Sequence, residues 1–322
     1  MKKLFNYLAY VVLTVVAVVF VFGRSDTYIG RTFYMEESTR GTSQRVEITT
    51  PPKNENDTSS GDEDETPEET TTRDESGDYD YYYNDGSVRI AITKVKDEEK
   101  NDSYVVADVT LSSVDQFLSI FAYGTYGSER QGTKAMAESA GAVFAVSGDY
   151  YNVRSGGIVI RNGVLYRNTA GTRDTLVMYE NGDLGYIPYG TKINGNDLIA
   201  QGVIQAYVFG PTIVNDGEAL TKFTGKDLSY IKKTHPRMLM GQIDTLHYVF
   251  VAVEGRHDGN DGMTLTESAE LMESLGCRIA YNLDGGESST MVFRGEIINL
   301  LADQNYVERP ISDCIGILGG DY

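Results

Sequence analysis

The chain has 322 residues and a formal net charge of −19, with 41% hydrophobic residues. That is enough for one large domain or two small ones. The acidic balance, with no basic stripe to neutralise phosphates, excludes nucleic acid as a partner. There is no G-x-S-x-G elbow, no phosphate-cradling P-loop and no H-E-x-x-H pair. The only histidines are His235, His247 and His257, so a Ser-His-Asp triad has little material. Cys277 and Cys314 fit no metal-ligand spacing, and whether they pair is open. Asp258–Glu267 has the wrong spacing for a calcium loop, so neither metal nor cofactor is expected.

Residues 1–23 read as a membrane anchor. Lys2 and Lys3 precede an almost charge-free run from Leu4 to Phe22, which as a helix spans roughly 28 Å, about the thickness of bilayer hydrocarbon. The two lysines favour a cytoplasmic N-terminus, giving a single-pass membrane protein with its C-terminal domain outside the cell. A cleaved signal peptide is the alternative, and it would give a secreted domain. Residues 24–86 read as an acidic, disordered linker. Within residues 54–80, 12 acidic side chains stand against Arg73 alone, and no hydrophobic period runs through them.

A globular domain is expected over residues 87–322. Residues 87–95 and 103–112 alternate as half-buried strands. Residues 128–140 predict a helix that stops at Gly141, and "AVFAVSGDYY" a buried strand emptying into a polar, aromatic turn. Asn162-Gly163 and Asn181-Gly182 each signal a hairpin. Residues 191–233 show no clear period, and 247–255 form a strand. Thr264 and Glu267 then make a capping box for a helix whose face is Leu265, Ala269, Met272 and Leu275, stopped by Gly276. Strands follow at 277–283, 291–300 and 311–318. The fold class expected is α+β, a mixed β-sheet with flanking helices.

Polar residues recur at strand ends, where sites are commonly built. Asp149, Tyr150 and Asn152 follow one strand, Arg237 precedes another, and Glu254, Arg256 and His257 follow a third. The densest group is "NLDGGESST": Asn282, Asp284, Gly285, Gly286, Glu287, Ser288, Ser289 and Thr290. Carboxylates supply acid, base or nucleophile for glycosyl transfer, arginines clamp anionic oxygens, and glycines let a ligand approach the backbone. Blander readings stand beside these. Asp284 with its two glycines also fits a plain tight turn, the three hydroxyls can satisfy backbone groups, and Tyr150 and Tyr151 can be rim packing. Glu308 and Arg309 read as structural, each in a surface ion pair of little energetic weight.

Four blocks together, "NLDGGESSTMVFRGEIIN", "HPRMLMGQ", "GRHDGNDGMTLTESAELMESLGC" and "VERPISDCIGI", resemble the phosphodiester glycosidase family. The resemblance covers roughly residues 130–320. Ser147, Glu254 and Glu287 depart from the family pattern, where Asn, Asp and Gly stand, and Glu287 adds a carboxylate. The resemblance implies an extracellular hydrolase that cleaves a sugar-1-phosphodiester in a cell-surface or exopolysaccharide glycan. It implies Asp284 as the catalytic carboxylate, with Glu287 and Asp149 in reserve. Arg237 and Arg256 would hold the phosphate, and Asn282, Gly285, Gly286, Ser288, Ser289 and Tyr150 would bind substrate. The alternative is a surface protein that binds anionic glycans in the same cleft without turnover.

Overall fold

The computed structural model describes residues 79–97, 102–226, 228–257 and 259–320. The expected membrane anchor and nearly all of the acidic linker lie outside the described residues. The first strands are β1 (Tyr81–Asn84), β2 (Val88–Asp97), β3 (Asp102–Leu111), β4 (Phe117–Phe121) and β5 (Ala142–Ser147). The Asn162-Gly163 hairpin joins β6 (Ile158–Arg161) to β7 (Val164–Asn168), and the Asn181-Gly182 turn joins β8 (Thr175–Tyr179) to β9 (Leu184–Ile187). The segment without a clear period contains β10 (Val203–Tyr207), β11 (Thr212–Asn215) and β12 (Glu218–Ala219). It is followed by β13 (Arg237–Asp244), β14 (His247–Val253), β15 (Ile279–Leu283), β16 (Met291–Phe293), β17 (Glu296–Ile297) and β18 (Asp313–Leu318). The helices are α1 (Thr133–Ala140), α2 (Gly195–Ala200), α3 (Leu228–Ile231) and α4 (Leu265–Ser274).

The strands make an eight-stranded sheet, β1-β2-β3-β14-β13-β15-β11-β12, and two five-stranded sheets, β7-β6-β10-β8-β9 and β17-β16-β5-β18-β4. Strand β14 shows how the layers form. Tyr248, Phe250 and Ala252 point into a core shared with both smaller sheets, through Phe144, Val146, Leu176 and Ile315. The alternate residues Val249, Val251 and Val253 pack beneath Leu265, Ala269 and Met272 of α4. The capping box on α4 is present as expected, with the Thr264 hydroxyl accepting from the Glu267 N–H and the Glu267 carboxylate accepting from the Thr264 N–H at 2.8 Å.

Three expectations change. The fold is mostly β with few helices, and the sheet is not mixed: among the described residues every strand pair is antiparallel. The α4 crossover, which resembles a parallel connection, leaves β13 between β14 and β15, so the two never pair. The helix expected from Ser128 begins only at Thr133, because Gln131 bridges Ile311 in extended conformation. The Lys134 N–H at its start donates to the Glu308 carboxylate at 3.0 Å, so Glu308 is structural as expected, but as a helix cap. Both cysteines are free and lie in different core clusters.

The third change is the domain boundary, since β1 lies inside the segment read as linker. It pairs along its whole length with β2, and the Asp80 carboxylate accepts from the Lys94 N–H at 2.6 Å. A chain beginning at Asp85 is therefore expected to melt about 3–5 °C below one beginning at Tyr79, reflecting a ladder worth ~1–2 kcal/mol. Coincident melting curves would show that β1 contributes nothing.

Candidate active site

The turn after β15 has two faces with different work. One face is structural. Gly286 N–H donates to Pro236 O at 2.8 Å and the Ser289 hydroxyl to Arg237 O at 2.7 Å. A Cβ on Gly285 would sit 2.6 Å from Pro236 O, so this glycine permits close backbone packing rather than ligand approach. Gly286 has φ +65°, and a Cβ there would also press on the Arg256 guanidinium at 3.1 Å. Asn282 is buried, donates its amide to Gly210 O at 3.1 Å, and leaves its Oδ1 without a hydrogen-bond partner.

The other face opens on a cleft of about 210 Å³, counting the space at its mouth. Asp284 and Ser288 line it from this turn, Asp149, Tyr150 and Val153 from the turn after β5, and Arg130, Arg309, Pro310, Ile311 and Ser312 from two outer segments. Asp284 is 7% exposed. Burial pushes its carboxyl up to about 7, against the opposing pull of a Ser288 hydrogen bond and of Arg309; Asp149 adds to the rise, and Arg154 opposes it.

Asp149 is fixed from beneath. Its Oδ2 accepts from Val208 N–H at 2.7 Å and from Arg161 Nη2 at 3.2 Å, and its Oδ1 accepts from Tyr150 N–H at 2.7 Å. The same guanidinium donates through Nε to Asp313 at 2.8 Å, and through Nη1 to Ile160 O and Ala206 O. The Asp313 carboxylate in turn accepts from Asp149 N–H at 2.9 Å. All three ionic side chains are fully buried. Burial raises the Asp313 carboxyl, opposed by Arg161. This Asp149–Arg161–Asp313 unit ties β5 and β18 of one small sheet to β6 and the end of β10 in the other. It sets the floor of the cleft.

The cleft wall is set by a bridge between two distant segments. Gln131 N–H donates to Ile311 O at 3.0 Å and Ile311 N–H returns to Gln131 O at 2.8 Å. That contact brings exposed Arg130 beside Arg309. Arg154 stands behind the lining, close enough to oppose the rise of the Asp284 carboxyl, with its guanidinium over the rings of Tyr150 (5.8 Å) and Phe209 (5.4 Å).

Of the residues expected from sequence, Asp149, Tyr150, Asp284 and Ser288 thus meet in one cleft. Arg237 does not line it. Arg237 is 2% exposed and its guanidinium donates to Met263 O at 3.0 Å and Lys233 O at 2.6 Å. Arg256 sits outside the lining, 3.3 Å from Glu287, whose other oxygen is 3.5 Å from Arg309. Asn282, Ser289 and the two glycines support the turn from behind. Sequence reasoning missed Arg130, Arg154, Arg161, Arg309 and Asp313. The "VERPISDCIGI" block contained two of them, and nothing local marked the others.

Residues 140–318 match the phosphodiester glycosidase family. A curated relative, the SPbeta prophage-derived uncharacterized protein YomE of Bacillus subtilis (strain 168), is 31% identical over 214 residues. The match covers 64% of this chain, which spans only about a third (32%) of that protein's length. Among solved structures, the catalytic domain of zebrafish N-acetylglucosamine-1-phosphodiester alpha-N-acetylglucosaminidase, auto-inhibited by its pro-peptide, aligns with a TM-score of 0.58 at 19% identity. That alignment covers 72% of this chain and 83% of the other, and it shows a shared fold. With its turn, most of its cleft and most of its domain inside the matched region, the chain belongs to the phosphodiester glycosidase family.

Proposed function

We propose that the domain hydrolyses the glycosyl C–O bond of a sugar-1-phosphodiester in a cell-surface glycan, and that the N-terminal apolar run holds it outside the membrane. The observation that carries this reading is a buried carboxyl poised near neutrality, Asp284, beside Asp149 in a cleft rimmed by arginines. Asp284 is the general base. It takes a proton from water as the water oxygen bonds to the anomeric carbon, and the phosphate departs with the electrons of the broken C–O bond. A phosphate monoester leaves readily, so its growing charge needs cations more than a proton. Arg130 and Arg309 supply them, in place of the Arg237 and Arg256 expected from sequence. Asp149, with both oxygens already accepting hydrogen bonds, shapes the floor and fixes Tyr150.

Release of a free reducing sugar from a synthetic sugar-1-phosphodiester tests the reaction. Saturable binding of the diester without turnover would instead favour the glycan-binding alternative. Arg309→Gln is expected to lower kcat/KM roughly 100-fold, a typical loss for one donor to developing charge, with an unchanged circular dichroism spectrum. Wild-type kcat/KM in Arg309→Gln would remove this residue from phosphate recognition.

A further inference from the structure

Tyr151, Tyr126 and Tyr166 form a three-ring stack that the reaction above does not use. Tyr126 lies between the other two, 4.9 Å from Tyr151 and 5.0 Å from Tyr166, with interplanar angles of 14° and 27°. Phe121 meets all three rings edge-on. The inner end is closed, since Tyr151 is 1% exposed. The outer end is open: Tyr166 is 39% exposed, and Val164 beside it on the same face of edge strand β7 is 51% exposed.

The stack and the cleft are one rigid piece. Arg167, the neighbour of Tyr166, donates to Tyr151 O, Arg154 O, Gly156 O and Gly157 O at 2.6–3.0 Å. Those carbonyls belong to the turn that carries Tyr150 and Val153 into the cleft. The Tyr151 hydroxyl accepts from Gly127 N–H at 3.2 Å, and Asn152 donates to Ser128 O at 3.1 Å, so the turn is also pinned to the segment bearing Arg130. An edge strand is thereby held at a fixed distance from the reacting centre.

We infer that the open face of Tyr166 is a subsite for a neutral pyranose unit of a glycan chain whose phosphodiester lies in the cleft. The axial C–H face of a pyranose is flat and apolar, matching the ring that would come next in the stack. The arginines of the rim suit the phosphate, whereas this ledge offers rings and a valine to an uncharged sugar. In giving the ledge a cleft-bound phosphodiester to extend, the inference rests on the proposed function and narrows its substrate to a polymer.

The chain has no Trp, so tyrosine fluorescence and calorimetry can follow titration of the full-length protein with maltohexaose and cellohexaose. Saturable binding is expected for at least one, weakened tenfold or more in Tyr166→Ala and retained in Tyr166→Phe. Tyr166→Leu keeps apolar bulk and replaces Tyr166→Ala if the latter does not fold. Equal affinity in the ring-less variant and the parent would overturn the subsite. So would a dimer in sedimentation that Tyr166→Ala converts to monomer, since β7 would then face a second copy. Hydrolysis of a short phosphodiester with no binding of either hexasaccharide would sink the ledge and leave the reaction standing. Hexasaccharide binding with no reducing-sugar release would do the reverse.

Discussion

Asp284→Asn is expected to lower kcat by roughly two or more decades, a typical general-base contribution, while making the folded domain more stable at neutral pH. Both effects come from one cause. The carboxyl is buried, and its ionisation is displaced upward from 3.8 to about 7. Between those two values the unfolded chain has released a proton that the folded chain still holds, so stability falls as pH rises through the window. Above about 7 the folded protein carries the full cost of a buried charge. Asparagine never ionises, so its advantage is absent near pH 4 and largest above pH 7. There it should amount to roughly 2–4 kcal/mol, or a Tm gain of about 5 °C or more. On the proposed mechanism, kcat/KM of the parent protein should climb with pH through about 7, as the base loses its proton. A profile that falls through the same range would make Asp284 an acid instead. Near-native turnover in folded Asp284→Asn would end its catalytic assignment.

Arg161→Met is expected to be the most destabilising single change in the domain. Arg161, Asp149 and Asp313 are all fully buried, and the guanidinium donates to both carboxylates and to two backbone carbonyls. Removing it strands two carboxylates side by side, a loss of roughly 3–5 kcal/mol and about 10 °C in Tm. Protonation relieves that repulsion, so the deficit against the parent should narrow as pH drops from 7 to 5. Arg161→Lys should recover only part of the loss, because an ammonium cannot span two acids and two carbonyls in one plane. Turnover should fall with Tm, because Asp149 and Tyr150 lose their support. A melting temperature within 2 °C or so of the parent would mean the triad is energetically idle, against the expectation for a broken buried pair.

Local chemistry made much of this fold readable. The Thr264–Glu267 capping box, the Asn162-Gly163 and Asn181-Gly182 turns and the period-2 run of β2 each act over a few residues, and each is present. Asp284 stood out for a similar reason: a buried strand ends abruptly in polar residues. Arg161 did not, because "GIVIRNG" reads as an ordinary hairpin arm whose Arg belongs in water. All four residues of β6 are in fact buried, and the partner acid of Arg161 lies 152 residues further on. Arg130 and Arg309 met the same obstacle, since it takes the long-range bridge between Gln131 and Ile311 and the Glu308 cap on α1 to make them neighbours. Arg237 failed in the opposite sense. An arginine after a proline at a strand entrance resembles an anion clamp, but the chain folds back on it and backbone carbonyls take up its guanidinium.

The single bridge at Gln131 and Ile311 has a consequence for how substrate range can change. It suspends the wall arginines from a strap whose side chains face solvent or the cleft, and whose nearest structural duty is Glu308 at the head of α1. Residues such as Arg130, Arg309 and Pro310 can be exchanged with little effect on the core, whereas the floor beneath them is locked into three buried charges. Reshaping what the cleft accepts is therefore a matter of re-tailoring two short outer segments, and libraries confined to residues 129–130, 306–307 and 309–310, which spare Ser128 and the Glu308 cap, should yield folded proteins with altered leaving-group preference.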